Sequence, residues 1–141
     1  MKRFLLWLPV FLLFLSCTKN AVRNNNPYLP NYNFSSILNL NLPLFSPLNS
    51  NLNPMALTLD SDINVLVMKV SGSEYRAWNA NCPNQSPAVC SNLVISGLNG
   101  KCNCDEILYS LFTGIGSNNV QYTMIPYRVE ILGNNSIRIY N

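Results

Sequence analysis

Histidine is absent from all 141 residues. That absence excludes Ser-His and Cys-His nucleophile–base pairs, imidazole zinc sites and the ordinary histidine pH switch. Charge is also scarce. Nine Lys and Arg against six Asp and Glu give +3, with no basic run and no basic–aromatic interleaving, so the footprint of a nucleic-acid binder is missing. Long apolar runs are lacking as well: the longest, Phe4 to Leu15, has twelve residues. As a helix it would span about 18 Å, short of the roughly 20 residues a membrane-crossing helix needs. What the chain does have is 23 asparagines, 48% hydrophobic residues and five cysteines. Asparagine suits turns and loops better than helices, and the length allows one domain with a tail.

The apolar run follows the cationic start Met1-Lys2-Arg3, which is the form of an export signal. Phe14-Leu15-Ser16-Cys17 at its end resembles a bacterial lipobox, in which the cysteine is acylated and becomes the first mature residue. Acyl chains on Cys17 would hold a soluble domain on a membrane at roughly 0.8 kcal/mol per buried CH₂. Loss of Lys2 and Arg3 with the signal leaves seven basic and six acidic residues, a net +1. The expected organisation is a signal over residues 1–16, a lipidated Cys17 with an Asn-rich tether over 17–36, and a domain over 37–141. Thr18-Lys19-Asn20 lacks the acidic residues that mark surface export in Bacteroidetes-like lipoproteins, which favours the periplasmic face of the outer membrane.

After the tether the pattern is one of short strands. Leu38 to Leu44 alternates with period two, and Pro43 puts that strand near an edge or an end. Ile63 to Val70 is rich in β-branched residues, and Tyr75 to Ala80 follows the turn Ser71-Gly72-Ser73. Leu93 to Ser96 and Ile107 to Phe112 are shorter candidates. Tyr127 to Leu132 and Ser136 to Tyr140 flank a hairpin turn at Gly133-Asn134-Asn135. No mature stretch longer than ten residues carries a capped helical period. The predicted fold is therefore all-β, a small antiparallel sandwich or barrel of stacked sheets. Tyr75, Trp78, Tyr109, Phe112 and Tyr127 are expected in its core.

Export implies an oxidising compartment. Apart from Cys17 there are four cysteines, Cys82, Cys90, Cys102 and Cys104, which allow three connectivities. They fall in two loops, Cys82-Pro83-Asn84…Cys90 and Cys102-Asn103-Cys104-Asp105. This arrangement resembles the Rieske iron–sulfur domain. In that family the first loop reads Cys-x-His with a second cysteine after it, and the second reads Cys-x-Cys-His-Gly-Ser-x-Phe/Tyr. One cysteine and one histidine from each loop hold a [2Fe–2S] cluster, and the other two cysteines form a disulfide. The resemblance runs from about Val65 to Tyr140 and implies a small antiparallel β domain with two cysteine loops. It places Cys82 and Cys102 at the ligand cysteines, Cys90 and Cys104 at the disulfide, and Tyr109 at the aromatic position. The sequence is also similar to Rieske-like lipoproteins of Bacteroidetes-type bacteria, with their Asn-rich tethers, here through Asn26-Pro27-Tyr28-Leu29-Pro30-Asn31.

The departures from that family bear on function. Asn84 and Asp105 stand at the two histidine positions, Glu106-Ile107 replaces Gly-Ser, and seven residues separate Cys82 from Cys90. A Rieske iron needs two neutral imidazoles; a carboxamide is a poor iron ligand, and one carboxylate replaces only one of them. No cofactor is expected, and Cys82 and Cys102 are then expected to oxidise to a second bridge beside Cys90–Cys104. The Cys90–Cys104 bridge would close fifteen residues and the Cys82–Cys102 bridge twenty-one, each worth about 3 kcal/mol on the chain-entropy model, though two adjacent bridges are not additive.

Other uses of these residues fit less well. Cys102-Asn103-Cys104 is a possible redox pair, but no helix N-terminus lowers a thiol pKa. A Cys₄ zinc site needs closer spacing than Cys82…Cys90. Asp60/Asp62 and Asp105/Glu106 lack a phosphate loop or basic partner motif and read as turn residues. The expected function is a non-enzymatic lipoprotein module, held to the membrane through Cys17 and packing against another envelope protein. The apolar Pro87-Ala88-Val89 and Ile107-Leu108 would lie at its exposed loop tip. The alternative is an electron-transfer protein with a non-standard [2Fe–2S] centre.

Overall fold

A computed structural model of the chain describes residues 25–60 and 62–141. Among these are nine strands and one 3-10 helix. In chain order they are β1 (Ser35–Asn39), the 3-10 helix (Pro43–Asn49), β2 (Met55–Leu59), β3 (Ile63–Ser71) and β4 (Glu74–Asn79). The cysteine region holds β5 (Leu93–Ser96), β6 (Asn99–Cys102) and β7 (Leu108–Ser110), and β8 (Pro126–Leu132) and β9 (Ser136–Tyr140) close the chain. Six strands form one antiparallel sheet in the order β1-β9-β8-β4-β3-β2, and β5-β6-β7 form a second. The large sheet curls into a near-barrel. Its two edges, β1 and β2, face each other across a groove of about 360 Å³, with the Ser36 hydroxyl donating to Asp60 at 3.5 Å.

β3 explains why its sequence is apolar without alternation. Val65 and Val67 point into the barrel core with Leu38, Leu59, Ala77, Ile137 and Ile139. Leu66 and Met68 point the other way, into a second core with Trp78, Leu93, Tyr109, Leu111, Met124 and the sulfurs of Cys82 and Cys102. A strand buried on both faces reads as a continuous hydrophobic run. β4 divides in the same way, Ala77 inward and Trp78 outward. The small sheet is thus packed on the outside of β3 and β4. Trp78 fixes it there, donating Nε1–H to the Leu111 carbonyl at 2.9 Å. Gly114 (φ 73°) passes so close to the indole that a Cβ would lie 2.5 Å from a ring carbon.

The all-β reading holds, and several elements differ from expectation. The alternation at Leu38 to Leu44 is not one strand. β1 ends at Asn39, whose Oδ1 accepts the Asn41 N–H at 3.0 Å, and Pro43 opens the 3-10 helix. This local turn takes over from the ladder, leaving Leu42 and Leu44 exposed. Phe112 is not a core residue. β7 stops at Ser110, Leu111 takes the inward place, and Phe112 is left 38% exposed. β2 and β6 carried no clear sequence signal. Packing also starts before the expected boundary at residue 37: Asn26, Leu29 and Ser36 are buried, and Tyr32 and Phe34 lie against the barrel core. The signal over 1–16 and the lipid site at Cys17 lie outside the described residues.

Tyr127 links the large sheet to the cysteine region. Its hydroxyl accepts from Nδ2 of the fully buried Asn79 at 2.8 Å, and Oδ1 of Asn79 accepts the Asn81 N–H at 2.8 Å, where the chain leaves β4. Burial pushes the Tyr127 phenol up to about 12, against a smaller opposing pull from the Asn79 hydrogen bond. Above the ordinary tyrosine value of about 10, the unfolded phenol loses its proton while the folded one keeps it. The stability from this group is therefore complete below pH 10 and declines as pH rises towards 12. Urea melts should show this alkaline loss. Tyr127→Phe should cost about 1–2 kcal/mol at pH 7 by leaving Asn79 unpaired, and the variant should lose less than the parent between pH 9 and 11.

Candidate functional site

The two cysteine loops occupy the end of the domain where β4 and β6 finish. The first runs from Ala80 to Asn92 and is closed at its base by the Cys82 N–H donating to the Ser91 carbonyl at 2.9 Å. The second turns from β6 into β7, with the Cys102 N–H bonded to the Ile107 carbonyl at 2.9 Å and the Glu106 N–H to the Cys102 carbonyl at 3.0 Å. Two disulfides join them. Cys82–Cys102 has its Cα atoms 5.5 Å apart and both residues fully buried. Cys90–Cys104 has them 5.0 Å apart, with Cys90 exposed at the loop tip.

Asn84 and Asp105 lie beside these bridges, and each ties segments together. The Asn84 amide donates to the Tyr109 hydroxyl at 3.0 Å and to the Tyr122 carbonyl at 2.7 Å, while its Oδ1 accepts the Tyr122 N–H at 2.9 Å. The side chain thus clamps both backbone groups of Tyr122, a residue 38 positions away. Asp105 accepts from Gln85 across the two loops at 2.6 Å and from the Ile107 N–H within its own loop at 3.1 Å. Burial raises the Tyr109 phenol above its ordinary value, outweighing the opposing Asn84 hydrogen bond, and the Asp105 charge adds to the rise. Tyr109 therefore stays a neutral acceptor for Asn84 at ordinary pH.

The Glu106 backbone is unusual for a residue with a Cβ. It stands where the Rieske pattern has glycine, and its φ is 62°, the left-handed region that glycine enters without a Cβ penalty. Its carboxylate is paired with Lys101 at 2.8 Å.

This donor set does not fit a [2Fe–2S] centre. Sulfurs bonded to each other are not thiolates, the chain has no imidazole, and both Asn84 donors are already bonded. Among the described residues, no group of three or more His, Cys, Asp or Glu is placed to hold a metal ion. Sequence reading brought Cys82, Asn84, Cys90, Cys102 and Cys104 to this end, with Asp105 and Tyr109. It missed Gln85, Tyr122 and Asn26, whose Nδ2 donates to the Pro83 carbonyl at 2.7 Å. Gln85 lies within the first loop but belongs to no motif there, Asn26 was read only as tether, and both Asn26 and Tyr122 are brought here by chain reversals far along the sequence.

No family model matches the sequence, and no curated protein matches it. Similar solved structures include a Mycobacterium tuberculosis protein described as the small subunit of an NADH-dependent nitrite reductase. It has 12% identity and a TM-score of 0.51, over 79% of this chain and 97% of that one. The ferredoxin of carbazole 1,9a-dioxygenase from Nocardioides aromaticivorans IC177 matches at 19% identity and TM-score 0.46, over 64% of this chain and 86% of that one. A protein described as a nitrite reductase NADPH small subunit matches at 14% and 0.48, over 77% and 99%. At these identities the likeness is one of fold. Antiparallel sheets with two disulfide-joined cysteine loops make it a Rieske-like all-β fold.

Two substitutions test the loop structure. Asn84→Ala leaves the buried Tyr109 hydroxyl and the Tyr122 backbone without their partner and should cost about 2–3 kcal/mol in urea unfolding. Glu106→Gly should not lower the urea midpoint, whereas Glu106→Val, β-branched at the same positive φ, should lower it.

Proposed function

We propose that this protein is a lipid-anchored component of a bacterial cell envelope whose Rieske-like domain carries no cluster and acts as a non-catalytic structural or interaction module. The observation that carries this reading is the Cys82–Cys102 bridge. The two residues at the ligand-cysteine positions are covalently satisfied by each other, inside the core shared with Trp78 and Tyr109. The bridge performs the mechanical part of a cluster's task, joining one loop to the other, with no metal between them. Asn84 and Asp105, at the histidine positions, contribute hydrogen bonds to the same end.

Support for the anchor is the lipobox-like Leu15-Ser16-Cys17 after a short apolar run, and the absence of acidic residues after Cys17 favours the periplasmic face of the outer membrane. An oxidising compartment suits two bridges. Another envelope protein is the partner class that a non-catalytic module of this kind would serve. The site offers no obvious chemistry of its own: the four sulfurs are oxidised and no imidazole stands near them.

Chemical analysis of the exported, anaerobically purified protein tests the proposal. The expected result is no iron, no acid-labile sulfide, no visible absorption and no reactive thiol after denaturation. Iron and sulfide in matching amounts, with two or more free thiols on the mature chain, would replace it with an electron-transfer reading. The intact mass should show acylation of Cys17, and Cys17→Ser should release the chain from the membrane fraction.

A further inference from the structure

The first described residues are bound to the cysteine end of the domain. Asn26 is buried, its Nδ2 donating to the Pro83 carbonyl in the first loop at 2.7 Å and its Oδ1 accepting the Tyr28 N–H at 2.9 Å. The Tyr28 ring stands edge-on to Tyr122, 6.0 Å between centroids, beside the Asn84 clamp. Leu29 then enters the barrel core. The chain therefore reaches the domain at the end that carries the cysteine loops, beside the buried base of the first loop, and not at the turn between β8 and β9. The sheet register puts that turn at the opposite end: β8 starts at Pro126 against Trp78, where β4 nears the first loop, and runs away towards Leu132.

The tip has the chemistry of a surface that meets lipid. Pro87, Ala88 and Val89 are exposed, Val89 at 99%. No charged residue occurs from Ala77 to Gly100. In the adjoining loop Lys101 is paired with Glu106, and Asp105 is bonded to Gln85. Asp60 and Asp62 belong to the β2–β3 turn of the large sheet and not to this loop. The β8–β9 hairpin carries Arg128 together with the Glu130–Arg138 ion pair.

We infer that the loop Ser86–Val89 is the membrane-facing surface of the domain, held against the bilayer by the Asn26–Pro83 attachment. This rests on the reading of Cys17 as the lipid site. Eight residues separate Cys17 from Asn26, and the nine residue-to-residue steps span at most about 32 Å when fully extended. A domain of this size is roughly 34 Å across. Contact through the far β8–β9 end would draw that stretch to its limit, whereas contact through the cysteine end leaves it slack. One exposed valine with a proline and an alanine binds lipid weakly by itself. On a tethered domain that contact is intramolecular and is favoured by the high effective concentration of the surface.

Fluorescence of the acylated full chain in phosphatidylethanolamine–phosphatidylglycerol vesicles tests this. Trp78, the one native tryptophan after the signal, is buried. Val89→Trp adds a reporter at the tip. Gly133→Trp adds one at the far turn, where a Cβ meets nothing within 4 Å. Thiol blocking confirms that both variants keep their bridges. The expected result is a blue-shifted emission from Val89→Trp, lost when part of the lipid is replaced by brominated phosphatidylcholine, with Gly133→Trp unaffected. Asn26→Ala should reduce the quenching in the Val89→Trp background. Solvent-like, unquenched emission from Val89→Trp on protein that floats with vesicles would overturn the orientation and leave the anchor reading standing. Equal quenching at both sites would do the same, as would shielding of the tip by a crosslinked protein in native membranes. A mature chain with no acyl mass on Cys17 would remove the anchor reading itself, and this inference with it.

Discussion

Two loops that diverge from the ends of different strands have to be held together over a small core, and the Cys82–Cys102 bridge is what holds them. One loop leaves β4 and the other leaves β6, and they would otherwise be joined by hydrogen bonds alone at a solvent-facing end. With both sulfurs inside the core of the small sheet, the bridge forms part of the packing as well as a crosslink. Cys90–Cys104 repeats the connection further out. The polar contacts depend on this closure. Asn84 meets Tyr109 and Tyr122, and Gln85 meets Asp105, only because the loops are brought to a fixed spacing.

The small sheet has little interior of its own. It borrows one face of β3 and β4, so Leu66, Met68 and Trp78 serve it while Val65, Val67 and Ala77 serve the barrel. Two cores that share a wall bury more apolar surface than either would alone, which matters in a domain this small. The sharing also makes the cysteine end rigid where it meets the large sheet, through the Trp78–Leu111 bond and the close passage of Gly114 over the indole. That fixed seating suits the interaction module proposed for this domain.

Much of this was legible in the chain, for reasons that differ by element. β3, β5, β8 and β9 were readable because β-branched runs and an Asn-rich hairpin turn act locally. β2 and β6 were not: β6 contains Gly100, where a Cβ would lie 3.0 Å from the Leu66 side chain, and β2 is an edge strand. The alternation at Leu38 to Leu44 misled because Asn39 turns the chain with its own side chain. Residues read as a tether are partly domain, since Leu29 and Phe34 find apolar partners in elements far along the sequence.

By itself the sequence determined what chemistry is absent and what covalent material is present: no imidazole, four cysteines in two loops, and strands in place of helices. Such facts follow from residue identity and short-range periodicity. The Rieske resemblance implies the cysteine pairing that the structure shows, whereas only the tertiary structure decided what the Asn84 amide holds and where Asn26 attaches. Each of those requires groups from separate stretches to lie within bonding distance, and the folding of β3 and β4 between two cores sets those distances.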